Sequence, residues 1–327
     1  MSCGRSASST ESLLHLIYSQ IARARRRYYQ RRPHLRRRLG APVISIGNLT
    51  VGGSSKTPLA AEIARLLLDM GERPAILSRG YARRTPLEGV VVVSDGTEIR
   101  ADVDHSGDEP FMLAQMIPQA AVLVSTSRYV AGCLAERQLG STVHILDDGF
   151  QHFDLMRDID LLVAPETLDD ARTLPAGRFR EPLDAAAAAD AVLVEGDRVD
   201  IAERLKVPTA FEFSRRLVSP PPDKPAFAFA GIARPERFYR DLEKSGWQLT
   251  GRRSFPDHHQ YSRRDVERVA REARESRAQV ILTTEKDAVR LPVYSAAPPI
   301  AAVPLEVSIE PAFRAWLAER LRNVRSA

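Results

Sequence analysis

The sequence predicts an α/β protein: a doubly wound, mostly parallel sheet followed by a second, smaller α/β unit. Three observations predict it. From Ala41 onward, short apolar strand patterns alternate with helical ones, and this alternation lays parallel strands side by side with helices over both faces. A glycine-rich turn, Gly47 to Thr57, joins the first strand to the first of these helices. A proline-rich connector, Ser219 to Pro222, then separates this run from a second strand–helix series.

The elements follow in order. Residues 11–29 form an amphipathic helix, because Leu13, Leu14, Ile17, Tyr18 and Ile21 recur at helical spacing after a capping Ser9 or Thr10. Pro42 to Ile46 is a strand, and Lys56 to Met70 is a helix stopped by Gly71. Strands follow at Pro74 to Leu77 and Val90 to Ser94, then a helix at Glu109 to Met116. Ala120 to Val124 is a strand, Arg128 to Leu139 a helix, and Val143 to Leu146 a strand ending in two aspartates. Ile159 to Val163 and Ala191 to Val194 complete the first sheet, and the alanine run 185–189 is a helix face. Thr209 to Val218 is extended. The second unit has strands at Ala226 to Ala230, Trp247 to Arg252 and Val280 to Thr283, and helices at Pro235 to Lys244, Arg263 to Arg277 and Pro311 to Asn323.

Composition limits the function classes. With 327 residues, 44% apolar and 27% charged, the chain reads as globular and large enough for a core without staples. Cys3 and Cys133 have no metal-ligand spacing and make no disulfide framework, which points to a reducing compartment. No stretch reaches the roughly 18 apolar residues that span a bilayer, and residues 1–30 carry their charge after the apolar part, unlike a secretory signal. Residues 1–40 hold ten arginines and one acid, Glu11, leaving −4 for residues 41–327 out of the total of +5. A basic arm on a mildly acidic body suggests tethering to an anionic membrane surface and argues against nucleic acid.

Gly52-Gly53-Ser54-Ser55-Lys56-Thr57 follows an apolar strand and opens a helix, the context of a phosphate-binding P-loop. Small residues let backbone N–H groups wrap phosphates, Lys56 reaches the β/γ-phosphates, and the Thr57 hydroxyl binds Mg²⁺. Ser55 departs from the pattern, because a side chain stands where glycine belongs; slightly altered backbone angles there would accommodate it. Asp147-Asp148 end an apolar strand, as a Walker B carboxylate does beside that Mg²⁺. Gln151 and His152 add polar groups at the same end, where open α/β sheets bind ligands. Ser106 to Pro110 is either a helix start with acids favoured by its dipole or a carboxylate pair near the γ-phosphate. Asp257-His258-His259 lacks a third metal ligand, and Asp257 alone reads as a helix cap. Thr283 to Asp287 either lines a cleft or is solvated.

Together these segments resemble the tetraacyldisaccharide 4'-kinases of lipid A synthesis. The resemblance rests on Gly47 to Thr50, Gly52-Gly53, Lys56-Thr57-Pro58, Leu77 to Tyr81, Gly107 to Pro110 and Asp147 to His152. It continues in Leu174 to Gly177, Arg180 to Pro182, Asp257 to His259 and Thr284 to Val289, in family order across about residues 41–291. It implies a P-loop NTPase-like α/β/α domain at 39–206, an extended linker at 207–224 forming part of a two-stranded connection, and a second α/β/α domain at 225–327. Residues 1–38 become the membrane-surface helix. It also implies ATP-dependent phosphorylation of the 4'-hydroxyl of tetraacyldisaccharide 1-phosphate at the cytoplasmic face of the bacterial inner membrane, with Mg²⁺. By the same resemblance Asp108 is the general base, with His258 preferred over His259 as its partner from the facing domain. Glu109 and Asp148 contribute to Mg²⁺ with Asp147 beside them, and Arg79, Tyr81, Arg128 and Arg180 line the lipid-phosphate side. Gln151 and His152 belong to the lipid side as well. Two other readings stay open: a P-loop kinase or ligase of a small soluble substrate, and a nucleotide-binding membrane adaptor that has lost catalysis through Ser55. The basic arm counts against the first, and the retained acids and His258 count against the second.

Overall fold

In the computed structural model the described residues are 9–52, 55–81, 83–85, 87–169, 171–218, 223–293 and 295–326. Cys3, Gly53, Ser54, the connector Ser219–Pro222 and the capping side chains of Ser9 and Thr10 lie outside what is described. In chain order the helices are α1 (Ser9–Gln30), α2 (Lys56–Asp69), α3 (Val103–Ser106), α4 (Asp108–Met116), α5 (Arg128–Leu139), α6 (Val199–Leu205), α7 (Pro235–Lys244), α8 (Arg263–Glu275), α9 (Glu285–Ala288) and α10 (Pro311–Ser326). The strands are β1 (Val43–Asn48), β2 (Pro74–Ser78), β3 (Val91–Asp95), β4 (Ala121–Val124), β5 (Val143–Asp147), β6 (Ile159–Val163), β7 (Ala191–Glu195), β8 (Ala210–Leu217), β9 (Ala226–Ala230), β10 (Leu249–Ser254), β11 (Val280–Thr284), β12 (Ile300–Val303) and β13 (Leu305–Ile309).

The chain forms two compact units. One holds residues up to Leu77, Ser127–Phe213 and Ile309 onward, and the other holds Ser78–Thr126 and Ser214–Ser308. Residues 78–126 therefore group with the later part of the chain, a placement that linear strand–helix alternation does not reveal.

In the first unit, strands β8–β7–β6–β1–β5–β2 lie side by side, and every neighbouring pair is parallel. All six residues of β1 are buried. Strands covered on both faces read as continuous apolar runs, which is why the sequence betrays them so clearly. Around their carboxyl ends Leu49, Phe150, Leu162, Phe179 and Val192 share one apolar cluster.

In the second unit β3 and β4 pair antiparallel. A separate four-stranded sheet, β10–β9–β11–β12, is wholly parallel. The sequence Ala226-Phe227-Ala228-Phe229-Ala230 alternates across β9. Its alanines share a core with Phe238, Tyr239 and Leu242 of α7. Its phenylalanines pack with Val269, Ala270 and Ala273 of α8. Small residues on one face admit the large ones of α7, and the other face reverses that fit. β8 neighbours β13, with Glu310 N donating to Glu212 O within the first unit and Val218 N to Pro304 O within the second.

Five elements escape the sequence reading: α3, α6, α9, β12 and β13. The last two are short and hemmed by Pro298, Pro299 and Pro304, residues that ordinarily demote a strand. The alanine run forms a 3₁₀ helix, Leu183–Ala188, with Ala185 and Ala186 buried. Asp257 caps no helix: α8 is capped by Ser262, which forms a capping box with Asp265.

Candidate active site

In the first unit, β1 and β5 are adjacent and in register, Ile46 beside Asp147. Both strands therefore deliver their following residues to one edge of the sheet. Gly47 is required there, since a Cβ would come within 2.4 Å of the Phe150 Cβ. The residues before the loop are braced by a distant segment: Val51 N donates to Arg178 O at 2.9 Å and Arg180 N to Leu49 O at 2.6 Å.

Lys56, the first residue of α2, donates to Asn48 Oδ1 at 3.0 Å and to Asp148 Oδ1 at 2.5 Å. Arg180 donates to the other oxygen, Asp148 Oδ2, at 2.7 Å. Burial pushes the Asp148 carboxyl up, but Lys56 and Arg180 outweigh it and hold the group down to about 2. Asp148 is therefore ionised at neutral pH. Asp147 and Thr57 are buried beside the same strand ends. Ser55 has φ 59° and ψ 19°. Its backbone thus keeps the left-handed conformation natural to glycine, without the altered angles that would accommodate a side chain.

The loop after Asp148 is held from inside. The Arg157 guanidinium donates to the carbonyls of Gly149, Phe150 and His152 at 3.2, 3.1 and 3.2 Å. Gln151 donates to Asn48 O at 3.0 Å and to Glu181 Oε2 at 3.1 Å. Burial, with Arg128, Arg157 and Arg25 nearby, lowers His152 to about 4, so its ring is neutral. Arg128 itself is buried at the start of α5.

In the second unit Asp108 opens α4 and is buried. Gly107 precedes it at φ +88°, with Tyr81 O only 2.9 Å from where a Cβ would stand. His258 Nδ1 lies 2.9 Å from Asp108 Oδ2. Asp108 and His258 therefore belong to one compact unit, not to two facing domains as the sequence reading has it. Burial opposes ionisation of Asp108, but His258, Lys286 and Arg290 prevail and lower its pKa. Tyr81 sets its ring edge-on to His258 at 5.3 Å and is otherwise exposed, as is Arg79. Glu109 Oε1 accepts from Lys286 Nζ at 2.9 Å.

The segment Thr283–Asp287 is not simply solvated. Asp287 is fully buried and accepts from Gly231 N, the Tyr261 hydroxyl and Arg290. Lys286 and Arg290 are residues to which the sequence reading gives no individual role in this unit, and Asn48, Arg157 and Glu181 are such residues in the first. The available signal was a run of charges set directly after an apolar strand.

A family model described as tetraacyldisaccharide-1-P 4'-kinase matches residues 10–322. The chain belongs to this family. Among its relatives, the tetraacyldisaccharide 4'-kinase of Desulfotalea psychrophila is 38% identical, over 87% of this chain and 90% of its own. That of Geobacter sulfurreducens is 36% identical, over 94% and 95%. Among solved structures, an "apo"-form LpxK from Aquifex aeolicus in complex with ATP has a TM-score of 0.79 at 30% identity, covering 96% of this chain and 99% of that one. As a member of this kinase family the chain is a phosphotransferase, the class its loop at 52–57 predicts.

The amino-terminal helix of this family member is reversed in polarity. Its polar residues face the protein. Thr173, completely buried, donates to His15 O at 3.0 Å and meets Ser19 Oγ at 2.8 Å. Arg26 forms a buried two-pronged pair with Glu181 at 2.9 and 2.6 Å and lies over the Phe150 ring. Arg23 pairs with Asp184 at 2.9 Å. These two arginines, expected at an anionic surface, are spent on the protein itself. Leu13, Leu16 and Ile21 are 59%, 57% and 62% exposed. Among the described residues no helix is long and apolar enough to cross a membrane.

Proposed function

We propose that this kinase transfers the γ-phosphoryl group of ATP to the 4'-hydroxyl of a tetraacylated glucosamine disaccharide 1-phosphate, a step of lipid A biosynthesis, at the cytoplasmic face of the inner membrane. The observation that carries the reading is the family match across residues 10–322. The residues supply matching chemistry. Lys56 and the amino-terminal end of α2 hold nucleotide phosphates. Asp108 accepts the proton of the sugar hydroxyl, and His258 orients its carboxylate. A carboxylate held below its ordinary range is a weak base, but phosphoryl transfer through a loose transition state asks chiefly for positioning and charge neutralisation.

The donor set beside Lys56 suits Mg²⁺. Thr57 offers a hydroxyl, and Asp147 and the ionised Asp148 offer carboxylates. These are hard oxygen ligands, and Mg²⁺ typically takes one or two of them and fills its remaining positions with water and phosphate oxygens. Bound there, it neutralises charge on the nucleotide phosphates. The exposed leucines and isoleucines of α1 support a peripheral seat on the membrane, with the apolar face in the acyl boundary.

A labelled transfer assay tests the reading: protein, Mg²⁺, ATP labelled in the γ-phosphate, and the disaccharide 1-phosphate acceptor. Labelled lipid is the expected product. Asp108→Ala lowers turnover by orders of magnitude with little change in ATP affinity, whereas Lys56→Ala impairs both. Near-normal turnover of Asp108→Ala refutes the base assignment, and wild-type protein without labelled lipid refutes the substrate.

A further inference from the structure

The geometry points to Lys286 as a positioning residue that decides which nitrogen of His258 carries the proton: its ammonium donates to Nε2, leaving Nδ1–H to donate to Asp108. This deepens the reading of Asp108 as general base and rests on it.

Lys286 is rigidly presented. It is the second residue of α9, whose cap is closed by Thr284: its hydroxyl donates to Asp287 Oδ2 at 2.6 Å and accepts from Asp287 N at 3.1 Å. Arg290 Nε holds the Lys286 carbonyl at 3.0 Å. From this turn Nζ reaches Glu109 Oε1 at 2.9 Å, His258 Nε2 at 3.3 Å and Asp257 Oδ1 at 3.5 Å. The side chain is mostly buried. Its ammonium is ringed by acceptors: the carboxylates of Glu109 and Asp257 and the ring nitrogen of His258.

An ammonium has three donors and no acceptor, and an ionised carboxylate has acceptors only. His258 is set between one of each. With the proton on Nδ1, both contacts are hydrogen bonds: Lys286 Nζ–H to Nε2, and Nδ1–H to Asp108 Oδ2 at 2.9 Å. With the proton on Nε2, a donor faces a donor and a lone pair faces a carboxylate. Among the described residues the other groups near the ring are Asp257 Oδ1, 3.8 Å from Nε2, and the Tyr81 ring; Arg290 Nη1 lies 3.8 Å from Asp108 Oδ2. If Lys286 is removed, Asp257 is the polar neighbour of Nε2 that remains among the described residues, and an acceptor there draws a proton onto that nitrogen. The ring then offers Asp108 a lone pair, or bridges two carboxylates as a cation. Either state spoils the alignment of the base. Lys286 thus serves His258 as the carboxylate of a catalytic triad serves its imidazole, by selecting a tautomer, but with opposite charge and on the opposite nitrogen.

Imidazole ¹⁵N NMR on the full-length protein reads the tautomer directly, with His258→Gln assigning the resonance among the seven histidines. The expected wild-type ring carries its proton on Nδ1 and accepts at Nε2. Lys286→Met moves the proton to Nε2 or adds a second one. It lowers kcat about 10–100-fold while KM for ATP changes less than about threefold, a split that general loosening of the fold would not produce. Lys286→Arg, a cation without an acceptor, keeps the Nδ1–H signature. Because the wild-type ring and Lys286→Arg both report, a Lys286→Met protein that fails to fold leaves the test intact. A wild-type ring protonated on Nε2, a Lys286→Arg ring protonated on Nε2, or a folded Lys286→Met protein with unchanged tautomer and kcat overturns the inference. Near-normal turnover of Asp108→Ala instead overturns the reading of the base, whatever the tautomer shows.

Discussion

Arg26 was expected to hold the protein on anionic lipid, and its position predicts a stability effect instead. The side chains of Arg26 and Glu181 are 8% and 4% exposed, and their two hydrogen bonds measure 2.9 and 2.6 Å. Removing one partner of a buried pair strands the other charge and costs about 3–5 kcal/mol. In Arg26→Leu the Glu181 carboxylate keeps one hydrogen bond, from Gln151 at 3.1 Å, which recovers about 1 kcal/mol. The lost guanidinium contacts with the Phe150 and Phe153 rings at 4.5 and 5.0 Å remove about 1 kcal/mol. The two corrections cancel, and the net expectation is a loss of about 3–5 kcal/mol. The double variant Arg26→Leu/Glu181→Leu strands no charge, so it is more stable than Arg26→Leu alone by about 2 kcal/mol or more. Urea unfolding at pH 7 of the wild type, the two single variants and the double variant, followed by circular dichroism, measures the cycle. A loss below about 1 kcal/mol in Arg26→Leu, or a double variant whose loss is the sum of the singles, refutes the reasoning.

Two further outcomes are expected. Leu16→Ser/Ile21→Ser alters residues that are already mostly exposed, so stability changes by less than about 0.5 kcal/mol per site. Binding to phosphatidylglycerol vesicles, read by co-sedimentation, falls at least about tenfold from the lost apolar insertion; unchanged binding sinks the membrane role of this face. His152 titrates near 4 when folded and near 6.5 when unfolded. The unfolded state therefore binds the extra proton between those values, and the stability this site contributes is complete above about pH 6.5 and lost as pH falls toward 4. Compared with His152→Gln, the wild type loses up to about 2 kcal/mol between pH 7 and 5. Parallel unfolding curves at the two pH values check this, and a difference that does not change with pH refutes it.

The parts of the fold legible in sequence were those whose signal is local. β1, β5 and the turn after each were visible because a parallel strand buried on both faces is mostly apolar, here interrupted by Ser45 in β1 and His144 in β5, and because Gly47, Lys56 and the two aspartates mark the carboxyl ends. The Asp108–His258 contact spans 150 residues, and only family resemblance joined the two; nothing in their spacing did. Lys286 stayed hidden for another reason. A lysine after a strand has the same pattern whether it is solvated or enclosed, and here its surroundings, Glu109 and His258, come from two distant segments. The helix α1 was legible as amphipathic, but not as to which face meets the protein. Its inner stripe, His15, Ser19 and Arg26, is polar, so the usual rule that the apolar face packs inward points the wrong way. Ser55 shows the limit of substitution logic. Altered backbone angles would accommodate a side chain there, yet the serine sits at φ 59°, so the cost remains in the loop.

That inner stripe also ties the helix to the phosphate loop. Arg26 holds Glu181, Glu181 accepts from Gln151, and Gln151 donates to the carbonyl of Asn48, whose side chain accepts from Lys56. The segment that carries Glu181 also braces the strand end leading into the loop, through Arg178 and Arg180. Anchoring α1 and positioning Lys56 therefore share one set of hydrogen bonds. Arg26→Leu should weaken ATP binding although it touches no phosphate-binding residue, and networks of this kind typically transmit about 0.5–2 kcal/mol, roughly a 2- to 30-fold change in affinity. Leu16→Ser/Ile21→Ser lies on the outer face of the same helix and should leave ATP affinity unchanged while abolishing membrane recovery. Measuring ATP affinity for both variants in the absence of lipid separates the two roles. If both variants weaken ATP binding equally, or neither does, the inner stripe holds the helix in place without supporting the loop.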